Sequence, residues 1–155
     1  MRTLAHPRCL DELTRRLRSL RPDSERRWGR MSVQQMVCHL GDACRMALGE
    51  MPIRDASSPV HRTLIKWFAL YGPLPWPPGI VTTPELDQLS DQCTGTRPNE
   101  LAADLATVET LLAAIATRPA AFKWPTHPIF GSLSRRAWLR WAYLHTDHHL
   151  RQFGA

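Results

Sequence analysis

The sequence predicts an all-α protein, a four-helix bundle with a long proline-rich crossover connection. Three observations carry this expectation. Four stretches repeat apolar residues at spacings of three and four, the signature of a helix with one buried face. No stretch shows the period-two alternation of a half-buried strand. No self-similarity recurs at the period of about 20–50 residues that marks a repeat architecture.

Each element has its own local warrant. Over Pro7 to Leu20 the residues Leu10, Leu13, Leu17 and Leu20 form one stripe, with Arg15, Arg16 and Arg18 on the opposite face. Pro22 ends this first helix, and Asp23 to Arg30 reads as a polar loop. Ser32, followed three residues on by Gln35, is a capping box: the hydroxyl meets an orphan N–H while the amide reaches back to the cap. Met36, Val37, Leu40, Ala43, Met46 and Ala47 carry the second helix to about Leu48, where Gly49 stops it. A shorter helix is expected from His61 to Gly72, containing Leu64, Ile65, Phe68 and Ala69. Beyond it, Pro73, Pro75, Pro77, Pro78 and Pro84 exclude regular structure, so a long crossover follows that reads either as a lid or pocket wall or as a surface strap. Pro98 announces the third long helix, with Leu101, Leu105, Val108, Leu111, Leu112 and Ile115 on its apolar face and Pro119 beyond its end. A second loop runs from Ala120 to Leu133, and Ser134 caps a last helix that continues to about Phe153.

A chain of 155 residues fits one domain spanning 1–155, and 43% hydrophobic content with six Trp supplies enough apolar surface for a core. The net charge is +6, unevenly spread: residues 1–30 hold nine Arg against four acidic side chains, whereas residues 31–130 hold seven basic against nine acidic. The N-terminal Arg are distributed through an amphipathic pattern and not gathered on one reading element, so nucleic-acid binding is not expected. Cys9, Cys38, Cys44 and Cys93 form no C-x-x-C pair, no secretion signal is visible, and no run approaches a membrane span. The expected setting is the reducing cytoplasm, with the thiols as small core residues.

The chemistry-bearing residues are histidines. Trp138, Trp141, Ala142, His145, His149 and Gln152 share one face of the last helix. Imidazoles at i and i+4 can converge on one ion. His39 adds a third imidazole, sharing a face of the second helix with Met36 and Ala43 and therefore pointing into the bundle, where helical proteins build metal sites. His39, His145 and His149 with an open position describe a catalytic type of divalent-metal site; a single histidine such as His39 reads more readily as a hydrogen-bonded core residue, and only the three together bring the metal reading level with it. His148 lies about 100° around the helix from His149 and is left outside the ligand set. Asp147 also falls off the ligand face, and Asp42, at i+3 from His39, is a candidate to support the site from behind its ligands. Gln152 either lines the site or faces solvent. Trp138 and Trp141 are expected to pack in the core and not to form a base-stacking platform.

Two blocks carry a resemblance: Trp28-Gly29-Arg30-Met31-Ser32 leading into Gln35-Met36-Val37-Cys38-His39-Leu40, and His127-Pro128-Ile129-Phe130-Gly131 followed by His145-Thr146-Asp147-His148-His149-Leu150-Arg151-Gln152-Phe153. The chain resembles the DinB-like superfamily, in particular a bacterial branch with no assigned activity. The resemblance implies a divalent metal, zinc or nickel, held by His39 from the second helix and His145 and His149 from the last. It implies either an enzyme, a low-molecular-weight-thiol S-transferase or hydrolase, or a non-catalytic metal-stabilised binding or sensing protein. A small-molecule substrate or thiol cofactor and a homodimer are among the expected partners, and an Arg near the site would clamp a thiol-cofactor carboxylate.

Overall fold

The computed structural model describes residues 1–155 and contains helices without strands. Helix α1 spans Pro7–Leu17, α2 Val33–Leu48, α3 Lys66–Tyr71, α4 Leu101–Thr117 and α5 Arg135–Gln152; a π-helical turn, His61–Ile65, runs directly into α3. The four long helices form the bundle. Helix α2 packs against α4 and α5, and α1 against α5 and α4. The fully buried side chains come from all four: Leu13 and Leu17, Met36 and Leu40, Leu112 and Ile115, Trp138 and Tyr143. Burial of each such side chain contributes about 1.5–3 kcal/mol of apolar transfer free energy.

The caps fall where the local chemistry demands them. Ser32 Oγ accepts from the Gln35 N–H at 3.2 Å, and Gln35 Oε1 accepts from the Ser32 N–H at 2.8 Å, closing the expected box. Gly49 ends α2 with φ of 78°, a left-handed conformation that Gly adopts without the penalty of a Cβ. Ser134 caps α5 by accepting from the Ala137 N–H. Helix α1 stops at Leu17, three residues short of the expected Leu20. Its last turns tighten into i→i+3 bonds, Ser19 to Arg16 and Leu20 to Leu17, which still deliver Leu20 to the core ahead of Pro22.

The short third helix differs in its packing. Its first part is a π-turn in which the Thr63 hydroxyl donates to the Pro59 carbonyl at 2.8 Å. Only Leu70 is buried; Leu64 and Phe68 are each 62% exposed. The apolar character of this segment therefore serves a cavity wall and its rim instead of the core. The crossover that follows has no regular helix between Tyr71 and Leu101 and is tied back by specific bonds: Trp76 Nε1 donates to the Ala69 carbonyl at 2.7 Å, and Arg151 Nη2 donates to the Trp76 carbonyl at 3.4 Å. Of the two readings of this segment, it takes the part of a wall.

Candidate metal centre

His39 projects from the middle of α2, and His145 and His149 project from successive turns of α5. Packing of these two helices brings all three imidazoles together: one nitrogen from each lies within 4.8 Å of the others. His39 Nε2 and His145 Nε2 are 3.2 Å apart. A tetrahedral ion with bonds of about 2.0–2.1 Å would set neighbouring ligand nitrogens about 3.3–3.4 Å apart, so this spacing fits a shared ion. It also fits a hydrogen bond when no ion is present.

The groups behind the ligands select the tautomers. His39 Nδ1 lies 2.8 Å from the Leu86 carbonyl, which can only accept, so Nδ1 carries the proton and the Nε2 lone pair faces the cluster. His149 Nδ1 lies 2.9 Å from Gln152 Oε1, with the same consequence for its Nε2. Gln152 is itself held, because its Nε2 donates to the Trp28 carbonyl at 3.0 Å. Gly29 completes this support: its φ is +80°, and a Cβ there would collide with the Gln152 amide. Burial pushes the pKa of all three histidines below the ordinary imidazole value, and His145 and His149 are lowered further by neighbouring imidazoles. Neutral imidazoles, with the tautomers of His39 and His149 fixed and their Nε2 lone pairs facing the cluster, are the kind of donor that a borderline divalent cation takes.

Of the other singled-out residues, some belong elsewhere. Asp42 is buried but does not touch His39. Its carboxylate accepts from Thr96 N–H at 2.8 Å, Thr96 Oγ1 at 2.7 Å, Gln88 Nε2 at 3.2 Å and Arg45 Nη1 at 3.1 Å. It anchors the crossover, and its influence on His39 is through charge alone. Asp147 pairs with Arg16 at 2.7 Å and Arg151 at 3.0 Å, away from the imidazoles. His148 lies outside the three-nitrogen cluster, its ring centroid 5.9 Å from that of Trp28 and 6.0 Å from that of Trp76. Cys38 donates to Asp104 at 3.6 Å, and its thiol is pushed up to about 12, first by burial and then by the Asp104 charge; burial raises Cys44 likewise. Both are therefore unreactive as thiolates at neutral pH. Trp138 is core, while Trp141, also buried, stacks on His145 with centroids 4.8 Å apart and planes 12° from parallel, restricting that ring.

A cavity of about 870 Å³ opens over the cluster, walled by the crossover, α3 and α5, with His39, His145 and His149 in its lining. No Arg lines it, so the expected carboxylate clamp is not present in its walls. Two residues of this region escaped sequence reasoning. The Leu86 carbonyl leaves no side-chain signal. His127 stands in a turn closed by mutual backbone bonds with Gly131, and its Nδ1 accepts from Ile129 N–H at 3.1 Å and Phe130 N–H at 3.2 Å. The run His127-Pro128-Ile129-Phe130-Gly131 was the signal available for it.

No helix is long and apolar enough to cross a membrane. No curated protein and no solved structure matches the chain. A family model described as the DinB superfamily matches residues 3–153, nearly the whole chain. Helical architecture, three histidines that can hold a divalent ion, and that match agree: the chain belongs to the DinB superfamily.

Proposed function

We propose that this protein is a divalent-metal-dependent enzyme, a transferase acting with a low-molecular-weight thiol or a hydrolase, with zinc or nickel held by His39, His145 and His149. The observation that carries the reading is the convergence of three neutral imidazole nitrogens within 4.8 Å in the wall of a cavity. Of the donors that could have closed the site as a fourth ligand, Asp42 is committed to Thr96, Gln88 and Arg45 and Cys38 to Asp104, while His148 lies outside the three-nitrogen cluster. Structural zinc sites are closed by four protein ligands, whereas three ligands and an open position favour catalysis.

A divalent ion in this setting lowers the pKa of a bound water or thiol and so supplies a nucleophile near neutral pH. The chain's own contribution is to position and to exclude. The Leu86 carbonyl and Gln152 amide keep the Nδ1 protons of His39 and His149 in place, leaving Nε2 free on each ring. Trp141 holds the plane of His145. Trp76 and the prolines of the crossover wall the cavity above the cluster with apolar surface.

The test is the metal content of untagged protein by mass spectrometry, after incubation with Zn²⁺ or Ni²⁺ and removal of excess ion. One ion per chain is expected in the wild type, with loss of most of it in His149→Ala and His39→Ala and little change in helical circular dichroism. A wild type that takes up neither metal, or folded variants that keep it, would reject the reading.

A further inference from the structure

The cavity wall carries chemical information that the metal ligands do not. Among all its lining residues there is no Asp, Glu, Lys or Arg. Four arginines of the surrounding elements are engaged with carboxylates outside it: Arg62 with Asp55 at 2.8 Å, Arg45 with Asp42 at 3.1 Å, and Arg16 and Arg151 with Asp147. Away from the ion position on the three histidines, an anionic group entering here would leave water without gaining a counter-charge from any side chain, an unfavourable transfer. The wall is instead built from Ile65, Phe68, Leu74, Trp76, Ile80 and Val81. These side chains extend to the mouth, where Leu74 is 80% and Val81 83% exposed, so the entrance itself is apolar. Isolated exposed hydrophobes need no explanation, but a set that continues into a cavity marks a binding surface.

The polar content of the wall is small and neutral. Thr83 Oγ1, His127 Nε2 and His148 Nδ1 are buried and have no hydrogen-bond partner in the protein, and all three residues line the cavity. Because His127 Nδ1 accepts two backbone N–H groups, its Nε2 carries the ring proton and is a donor in want of an acceptor. A buried donor left unpaired costs about 1–3 kcal/mol, which an uncharged oxygen or nitrogen of a ligand would relieve.

We propose that the cavity takes a neutral, predominantly apolar small molecule bearing one uncharged polar group, and discriminates against carboxylated or phosphorylated compounds, glutathione-type thiol peptides included. Its volume of about 870 Å³ suits a ligand of drug-like size. The inference rests on the reading of this cavity as the substrate site. It narrows the thiol arm of that reading to uncharged thiols.

The experiment uses the full chain in zinc-loaded and chelator-treated forms. Each is titrated with a neutral solvatochromic naphthalene ketone dye and with an anionic naphthalene sulfonate dye, followed by competition with hexanethiol or glutathione. The expected result is preferential binding of the neutral dye by about tenfold or more in the chelator-treated form, where the wall alone decides, with displacement by hexanethiol and none by glutathione, and a smaller preference in the zinc-loaded form. Phe68→Asp, at an exposed position of the wall, is expected to weaken the neutral dye by about tenfold with unchanged circular dichroism. Equal or tighter binding of the anionic dye by the chelator-treated form, displacement by glutathione in that form, or indifference to Phe68→Asp would overturn the proposal. If the chain holds no metal, the functional reading fails while the dye preference of the chelator-treated form still decides the ligand class.

Discussion

Replacing Gln152 with Leu separates the role of the metal ligands from that of the groups holding them. Gln152 is 3% exposed and makes two bonds: it accepts from His149 Nδ1 at 2.9 Å and donates to the Trp28 carbonyl at 3.0 Å. Leucine is similar in size, so the change removes both bonds without opening a large void. Each stranded buried group costs about 1–3 kcal/mol, giving a stability loss of about 3 kcal/mol once partial relaxation at Trp28 is allowed for. With Nδ1 released, His149 also loses its fixed tautomer and ring orientation, and loss of such a supporting partner weakens metal affinity by about 10–100-fold. The first quantity is read by urea unfolding of the metal-free protein and the second by zinc competition against a chromophoric chelator. Gln152→Glu is the informative companion, because it keeps an acceptor for His149 Nδ1 and abolishes the donor to Trp28. It should retain most of the zinc affinity and lose stability. Gly29→Ala, strained at φ of +80° and pressing on the Gln152 amide, should reproduce part of the Gln152→Leu effect from the other side. If Gln152→Leu bound zinc as tightly as the wild type, the support assigned to Gln152 would be wrong.

Two further perturbations address the framework around the site. Asp42→Asn should destabilise the protein by about 2–4 kcal/mol, since an amide offers one acceptor oxygen where Thr96 N–H, Thr96 Oγ1 and Gln88 Nε2 all donate; unfolding at the wild-type urea midpoint would contradict this. Burial lowers the pKa of His127 to about 3 from an ordinary value of 6.5. The unfolded chain therefore takes up a proton there below pH 6.5 that the folded protein refuses until about pH 3, so this contribution is complete above 6.5 and is lost as pH falls between the two values. At pH 5 the loss is about 2 kcal/mol, from about 1.5 pH units at about 1.36 kcal/mol each. His127→Asn leaves an oxygen where Nδ1 accepts the turn's N–H groups and removes the titration. Metal-free His127→Asn should thus lose less stability than the wild type between pH 7 and pH 5, and parallel losses in the two proteins would show that His127 does not titrate this way.

The bundle was legible because helix formation is written in short-range pattern. The reciprocal bonds of Ser32 and Gln35, the left-handed Gly49 and the Ser134 cap all involve residues within a few positions of one another, and the structure has each in the expected place. Trp138, Leu139 and Tyr143 are buried because α5 has apolar residues on most of its faces, a composition visible in the chain itself. The pairing of His145 with His149 was equally local, set by the pitch of a helix.

Other features depend on contacts between residues far apart in the chain. The third short helix shows the same apolar spacing as its neighbours, yet only Leu70 reaches the core, because periodicity records which residues share a face and not whether another element covers it. Asp42 sits one turn from His39, a spacing that suggested support of the site, but the crossover supplies Gln88 and Thr96 as stronger partners and draws the carboxylate away. The group that does orient His39 is a backbone carbonyl 47 residues on, and Gln152, undecided between the site and solvent, is directed inward by the carbonyl of Trp28. By itself the sequence determined the helices, their caps and the histidines able to share one ion, since these follow from interactions within a few turns. Only the tertiary structure decided the tautomers, the uncharged wall and the cavity above the cluster, because they arise where the crossover and the turn before α5 close over the bundle, and closure across long stretches of chain leaves no period in the sequence to read.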